Sequence, residues 1–152
     1  MAKELPLWWF LKTGITATLV GMFVVVSWHH QLKAPDALIV LAQAIIAIGA
    51  LINLYHYRIL KRVAPRLGAP QKLATHGGLL PWIRHPMYLG ELIFVLGLTL
   101  LISSLWALVL AVIYFYAIVR LSVAEDRQMA TRFGDVHAHW CRKTSALLPQ
   151  IW

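Results

Sequence analysis

Residues 87–119 read MYLGELIFVLGLTLLISSLWALVLAVIYFYAIV, and Glu91 is the only charged residue among them. As one helix this stretch would be about 50 Å long, whereas the hydrocarbon core of a bilayer is about 30 Å thick. Two serines, Ser103 and Ser104, lie near its middle. The stretch therefore predicts two short helices of roughly 25 Å each, joined at the serines, which cross a membrane by tilting or by local thinning of the bilayer.

Two further apolar runs precede this stretch. The run from Leu5 to Trp28 contains one charge, Lys12, whose stem can reach toward the headgroups, and residues 37–55 contain none. Each run is long enough for one membrane crossing. No small-residue cleavage pattern follows the first run, so we interpret it as a permanent span and not as a signal peptide. The sequence thus predicts an all-α integral membrane helical bundle: about four transmembrane helices and a short cytosolic helical tail, forming a single domain over residues 1–152.

The composition agrees with a membrane protein. Hydrophobic residues make up 60% of the chain and charged residues 13%, whereas a soluble domain is about half apolar and a quarter charged. An ordinary soluble enzyme and a disordered chain are therefore excluded. The formal charge of +8 is distributed between the apolar runs, so nucleic acid is not an expected partner. Cys141 is the single cysteine, which excludes an intrachain disulfide.

Basic residues determine the predicted orientation. With four spans, Lys33 is the only Lys or Arg on one side of the membrane, while Lys3 and the cations of segments 58–86 and 120–152 share the other side. The positive-inside rule makes that second side cytoplasmic, so both termini are expected in the cytoplasm. We expect the protein in the inner or cell membrane. The Pro- and Gly-rich residues 65–78 are predicted to form a loop.

The tail is predicted to contain two helices. Residues 122–132 mix charged and apolar side chains, and Phe133-Gly134-Asp135 is typical of a helix end followed by a new helix start. Residues 135–143 predict a second short helix, and Pro149 ends the regular structure. Because one side of the tail is polar, we expect it to lie at the membrane surface.

The densest group of reactive side chains is Arg84-His85-Pro86-Met87-Tyr88, at the start of the third span. Proline fits the first turn of a helix, where its missing N–H costs nothing, and the free N–H groups of a helix start favour an anion. The alternative is that these side chains only anchor the span at the headgroups. Glu91 lies one turn after Tyr88, and a carboxylate inside a membrane indicates a functional site. Alternatively, Glu91 is interfacial and pairs with Arg84 or another cation.

A second charged cluster follows the last span and comprises Arg120, Glu125, Asp126, Arg127 and Arg132. On its own it is typical of a solvated helix surface. The functional alternative is a carboxylate at the cytoplasmic mouth of the bundle that holds ribose hydroxyls or a cationic group.

The two clusters, in this order and spacing, resemble the integral-membrane methyltransferases typified by isoprenylcysteine carboxyl methyltransferase, whose relatives are the phospholipid N-methyltransferases. The Arg-His-Pro-x-Tyr motif of that family is complete at residues 84–88, and Glu125-Asp126, Phe133-Gly134 and Pro149 keep its spacing. The resemblance covers residues 73–149. The sequence departs from the family pattern at Leu80, Asp126, His137 and Trp140, where the family has Tyr, Glu, Tyr and Tyr.

The resemblance implies S-adenosylmethionine (SAM) as the cofactor, an all-helical fold and a methyltransferase activity. It also implies a set of cofactor contacts: Leu73, Ala74, Leu80, His85, Pro86, Met87, Tyr88 and Glu125. We add Arg84 to this set because a guanidinium suits the carboxylate of SAM. Arg120 is the nearest counterpart of the family's substrate-contacting arginine. We assign Arg120 and Glu91 to the reaction. An amine acceptor would have to lose a proton, which Glu91 or His85 could accept.

The expected function is SAM-dependent methylation of a lipophilic acceptor from the bilayer. The preferred acceptor is the carboxyl group of an isoprenylcysteine-like molecule, and a phospholipid or amine is the alternative. A non-catalytic membrane subunit that binds metal or haem is a third interpretation. A metal site among His137, His139 and Cys141 is not expected, because these residues crowd one short segment. Membrane lipids are expected partners, and a second copy of the chain is left open because two spans are short.

Overall fold

The computed structural model describes residues 4–29, 35–63 and 73–148, and these form four helices. They are α1 (Glu4–Trp28), α2 (Asp36–Val63), α3 (Pro86–Ile102) and α4 (Leu105–Cys141). An isolated β-bridge pairs Ile83 with Ser145. The predicted all-α fold is confirmed. The predictions that rest on Lys3, Lys33, Pro149 and most of the loop 65–78 lie outside the described residues.

Three helices are long and apolar enough to cross a membrane: α1 over Leu7–Trp28, α2 over Asp36–Arg62, and α4. The fourth, α3, is apolar but has only 17 residues, which corresponds to about 25 Å. The predicted division between the last two helices is confirmed. Ser103 ends α3 in the left-handed region with φ 48°, and the Ser104 hydroxyl accepts a hydrogen bond from the Trp106 N–H at 3.3 Å to begin α4.

Both polar segments are more helical than the sequence predicted. The α2 helix continues past the end of its apolar run to Val63 and carries Arg58, Lys61 and Arg62. Similarly, α4 continues past Arg120, and its backbone leaves helical geometry only at Gly134 (φ 49°). Lys, Arg, Glu and Gln are good helix formers, so the charges that end an apolar run do not end the helix.

Residues 120–133 of the predicted helical tail extend the helix of the last span, and the position of the tail at the membrane surface stays a prediction. The predicted interruption at Gly134 is confirmed. The helical stretch that follows it ends at Cys141, two residues before the predicted end.

Small residues allow α2 and α3 to pack closely. A Cβ atom on Gly49 would lie 2.5 Å from the Phe94 backbone nitrogen, and one on Gly97 would lie 2.9 Å from the Ala42 carbonyl oxygen. Such close backbone approach is typical of helices that associate within a membrane. The α1 helix packs against α3 and α4, whereas within the described segments α1 and α2 make no contact with each other.

The outer faces of the bundle are apolar. Large hydrophobic side chains such as Val24, Leu51 and Val112 are more than half exposed. The interior is a cluster contributed by α1, α3, α4 and the segment after α4, and it includes Leu19, Leu98, Tyr114, Ile118 and Leu147. Exposure of this much apolar surface matches a lipid environment and not water.

Candidate active site

The segment after α4 is hydrogen-bonded to the residues that precede α3. The N–H of Arg84 donates to the Ser145 carbonyl at 2.8 Å, and the N–H of His85 donates to the Ala146 carbonyl at 3.0 Å. In return, the N–H of Ser145 donates to the Trp82 carbonyl at 3.0 Å. These backbone bonds hold the end of the chain against the start of α3.

The side chain of Arg84 strengthens this junction. Its Nε donates to Asp126 Oδ2 at 3.2 Å, and its Nη1 donates to the carbonyls of Thr144 and Cys141. The guanidinium thus connects α3, α4 and the segment after α4. Arg84 was predicted to meet the cofactor's carboxylate, but in this structure its described contacts are to the protein.

His85 and Tyr88 meet the two carboxylates of α4. His85 Nε2 lies 3.1 Å from Asp126 Oδ1, and His85 Nδ1 lies 3.5 Å from Glu125 Oε2. The Tyr88 hydroxyl donates to Glu125 Oε1 at 2.5 Å, and its ring stacks on the imidazole with 5.5 Å between centroids. The motif at the start of α3 and the acidic pair of α4, recognised separately in the sequence, thus form one cluster.

The carboxylates keep His85 protonated. Burial by itself lowers the pKa of this imidazole, but hydrogen bonds and charge from Asp126 and Glu125 outweigh it and raise the pKa from 6.5 to about 9. At neutral pH the cluster therefore contains two cations, Arg84 and His85, beside two carboxylates. Its charges are balanced within the protein.

The first turn of α3 begins at Pro86 and is not capped by a side chain. The first N–H groups of a helix have no acceptor within that helix, so those of Met87 and Tyr88 can serve an anion. Glu125 is the more accessible carboxylate of the pair, with a third of its side chain exposed, compared with 23% for Asp126. The cluster thus presents both an anion-binding helix start and an accessible carboxylate.

The remaining predicted cofactor residues differ in burial. Leu80 is buried, and its carbonyl accepts a hydrogen bond from the Trp140 indole at 3.4 Å. Leu73 and Ala74 are half-buried in the extended segment before the turn. Met87 is half-buried, and its carbonyl accepts a hydrogen bond from the Asn53 side chain at 3.3 Å.

Glu91 is the centre of a second cluster within the bundle. Lys12 Nζ lies 2.8 and 2.7 Å from its two carboxylate oxygens. The Tyr114 hydroxyl donates to Oε2 at 2.9 Å, and Asn53 Nδ2 lies 3.4 Å from Oε1. Four helices thus contribute to one polar group inside an apolar bundle. The sequence alternative that paired Glu91 with Arg84 or another cation is met by Lys12, and not by Arg84.

Arg120 lies apart from both clusters in its described contacts. It is exposed, and its guanidinium lies 5.4 Å from the centroid of the Trp8 ring. This is a cation–π arrangement on the outside of α4.

Sequence reasoning missed several residues that organise the site. Lys12 was interpreted as a headgroup anchor, and Asp126 as a substitution within a motif. His56, buried near the end of α2, was not singled out, yet its Nε2 accepts the Leu79 N–H at 2.9 Å and so holds the turn before α3. The only sequence feature that could have indicated a role for His56 was its position, as a histidine at the end of an apolar run.

Asp126 also reaches a group that sequence reasoning had discounted. His137 Nε2 lies 3.5 Å from Asp126 Oδ1, and ligand-type atoms of Asp126, His137 and Cys141 all lie within 4.8 Å of one another. This spacing would fit a metal ion. However, the two carboxylate oxygens of Asp126 already contact His85 and Arg84, so a metal would have to compete with both cations. We assign no metal here.

Comparison with known proteins gives one match. A family profile described as phospholipid methyltransferase matches residues 37–136, which is more than half of the chain. The matched region contains the start of α3, Glu91 and the acidic pair of α4. No curated protein and no solved structure matches the chain.

Proposed function

The chain belongs to the phospholipid methyltransferase family of integral-membrane methyltransferases, and from that membership we propose that it transfers a methyl group from SAM to a lipophilic acceptor in the bilayer. The observation that carries this proposal is the meeting of His85 and Tyr88 with Glu125. Residues from two distant parts of the chain meet there in a charged cluster at the start of a helix.

The residues of this cluster fit the chemistry of SAM. The cofactor has ribose hydroxyls, which suit the accessible carboxylate of Glu125, and a carboxylate, which suits the free N–H groups at the start of α3. The half-buried Leu73, Ala74 and Met87 offer apolar surface for its adenine. When bound, SAM supplies a methyl group on a positively charged sulfur, which is a good leaving group.

The protein's task in such a transfer is to align the acceptor with the methyl group and to exclude water. We propose that Tyr88 and His85 fix the cofactor side of this alignment, because each is held by a carboxylate. Arg84 acts as a positioning residue, since it holds the segment after α4 against the cluster.

Two acceptor chemistries make different demands on the protein. A carboxyl acceptor, as in an isoprenylcysteine, needs a cation and no general base, and Arg120 would supply the cation. An amine acceptor needs a group that accepts its proton, and Glu91 would do so. The position of Glu91 inside the bundle, together with the exposed position of Arg120, favours the amine.

A labelled-methyl transfer assay tests the proposed function. The purified protein is given SAM labelled on its methyl group, together with native membrane lipids separated into fractions and, in parallel, prenylated thiols with a free carboxyl. We expect label in an organic-soluble product. No transfer to any acceptor, combined with no saturable SAM binding, would contradict the proposal, and a Soret band or stoichiometric metal would then favour the non-catalytic subunit.

Arg120→Ala separates the two acceptors. If the acceptor is a carboxylate held by Arg120, this change raises the KM for the acceptor and leaves that for SAM unchanged. If the acceptor is an amine, neither KM changes by more than about twofold, because the described contact of Arg120 is to Trp8.

A further inference from the structure

We propose that the groove between α1 and α2 is the binding site for the headgroup of a phospholipid acceptor, with Lys12 at the phosphodiester and Glu91 at the ammonium group. This inference rests on the proposed function. It adds the place of the acceptor and the two residues that contact its headgroup.

The groove is formed because α1 and α2 both pack against α3 but, over the described residues, not against each other. It has a volume of about 560 Å³, which is within the range of small-molecule sites. Its lining includes Lys12 and Thr16 from α1, Gly49 and Asn53 from α2, Glu91 from α3 and Tyr114 from α4.

The walls of the groove continue into exposed apolar surface. On α1, Val20 is 37% exposed, and on α2, Leu51 and Leu54 are 65% and 47% exposed. These helices have the length and hydropathy of membrane spans. An occupant of the groove can therefore keep its acyl chains in the bilayer while its headgroup enters between the helices.

The charges in the groove are complementary to a headgroup that carries one negative and one positive charge. Lys12 and Glu91 are mostly buried, with 12% and 21% of their side chains exposed, and their charged atoms are 2.7 Å apart. Placing a charged pair among apolar helices costs solvation free energy, and well-packed apolar side chains would often serve the fold as well. A phosphodiester joined to a primary amine by two carbons presents a negative and a positive charge a few ångströms apart, which is the complement of this pair.

A carboxylate acceptor does not complement the groove equally well. It would gain Lys12 but would bring its negative charge next to Glu91, and like charges in a medium of low dielectric repel strongly. Asn53 and Tyr114 donate hydrogen bonds to Glu91, so this carboxylate stays held in place when Lys12 turns to the phosphodiester.

Tyr88 connects the groove with the cofactor cluster. Lys12 Nζ lies 5.2 Å from the centroid of the Tyr88 ring, while the hydroxyl of the same ring donates to Glu125. Glu91 follows Tyr88 by one helical turn. A headgroup held by Lys12 and Glu91 would thus be adjacent to the residues proposed to hold SAM.

The test uses the full chain in nanodiscs of phosphatidylcholine with added phosphatidylethanolamine. Methyl transfer and SAM binding are measured separately for wild type, Lys12→Gln, Glu91→Gln, Lys12→Arg and the double variant in which Lys12→Glu is combined with Glu91→Lys. The matched control is Lys61→Gln, which removes a lysine on the exposed part of α2.

We expect both single neutral variants to raise the KM for phosphatidylethanolamine by about tenfold or more, the loss expected for one charged hydrogen bond. Glu91→Gln also lowers kcat, because Glu91 is the proposed proton acceptor. SAM binding stays within about twofold of wild type. Lys61→Gln retains transfer, and Lys12→Arg, which keeps the cation, loses less transfer than Lys12→Gln. The double variant keeps an ion pair but reverses its polarity, so it retains SAM binding and thermal stability without regaining transfer.

Three results would overturn the inference while leaving the proposed function intact. One is wild-type transfer to a prenylated carboxyl acceptor with none to phosphatidylethanolamine. Another is recovery of transfer by the double variant, because the pair would then serve only the fold. The third is loss of SAM binding in both neutral variants, which would place the pair in the cofactor site. Absence of SAM binding and of all transfer in the wild type would instead refute the proposed function itself.

Discussion

His85 has the most strongly constrained environment of the predicted site residues. Two carboxylates face its two ring nitrogens, Tyr88 stacks on its ring, and its backbone N–H is bonded to the segment after α4. A neutral substitute would leave the two carboxylates facing each other without the intervening cation. The residue therefore contributes to the fold as well as to the proposed site.

The raised pKa of His85 makes stability depend on pH in a defined window. Folding binds the proton more tightly, because the pKa rises from 6.5 to about 9. The stabilisation from this group is therefore complete below about pH 6.5 and is lost as the pH rises through about 9. We expect the difference in Tm between wild type and His85→Gln to shrink over this range, as measured by thermal unfolding in detergent.

The exposed His139→Gln is the control for this experiment and should follow the wild type at every pH. A difference between wild type and His85→Gln that stays constant, or that grows toward high pH, would show that the imidazole is not held as a cation.

The sequence singled out Arg84 to Tyr88 and Glu125 as a spaced motif, and the structure brings these residues together. The sequence did not predict the partner of Glu91, since Lys12 lies 79 residues away and no local pattern records which helices are neighbours. The contacts of Asp126 were not predicted either, because its partners are also distant in the sequence. Its contacts come from the start of α3 and from His137 beyond the break in α4.

Among the helices, the pairing of α2 with α3 determines where the candidate site lies, because α3 begins at the charged cluster and carries Glu91. The ends of the helices were predicted well where local chemistry sets them, as at Ser103-Ser104 and Gly134. The helix ends were predicted poorly at Val63 and after Arg120. An apolar run shows how much of a helix is in contact with the membrane, but the helix itself can continue beyond the run.

The glycines between α2 and α3 should not tolerate a methyl group. In Gly49→Ala the new Cβ would lie 2.5 Å from Phe94 N and 2.6 Å from the Gly90 carbonyl oxygen, so the helices would have to separate. We expect a loss of about 1–3 kcal/mol in stability, as for other overpacked sites. Thermal unfolding in detergent measures this loss.

Gly14→Ala is the matched control, because nothing lies within 4 Å of a Cβ atom at that position of α1. It should be neutral or slightly stabilising, since Ala is favoured over Gly in a helix. Equal effects of the two substitutions would contradict the close packing of α2 on α3.

At the scale of the whole molecule, we propose that two adjacent sites have different roles: the charged cluster holds SAM and the groove holds the acceptor. The charged cluster lies at the start of α3, and the groove between α1 and α2 is lined by residues from all four helices. The composition predicted a membrane protein with this all-helical fold. The composition could not predict the groove, which forms because the described residues of α1 and α2 do not contact each other.

The orientation proposed from the basic residues places the end of α1 outside the cell and the end of α4 inside. In a Cys141→Ser background, His29→Cys and Asp135→Cys introduce single thiols at exposed positions. We expect a membrane-impermeant maleimide to label His29→Cys in intact cells and Asp135→Cys only after the cells are opened. Labelling of both thiols from the same side would contradict the orientation.

The most direct test of the account is equilibrium binding of labelled SAM to the purified protein and to Glu125→Gln, with Asp135→Asn as the exposed control. We predict saturable binding to one site in the wild type and in Asp135→Asn. Glu125→Gln should bind roughly 10- to 100-fold more weakly, because a charged hydrogen bond contributes about 1.5–3 kcal/mol. Wild-type affinity in Glu125→Gln, or no saturable binding by the wild type, would contradict the claim that the start of α3 and the acidic pair of α4 hold SAM together.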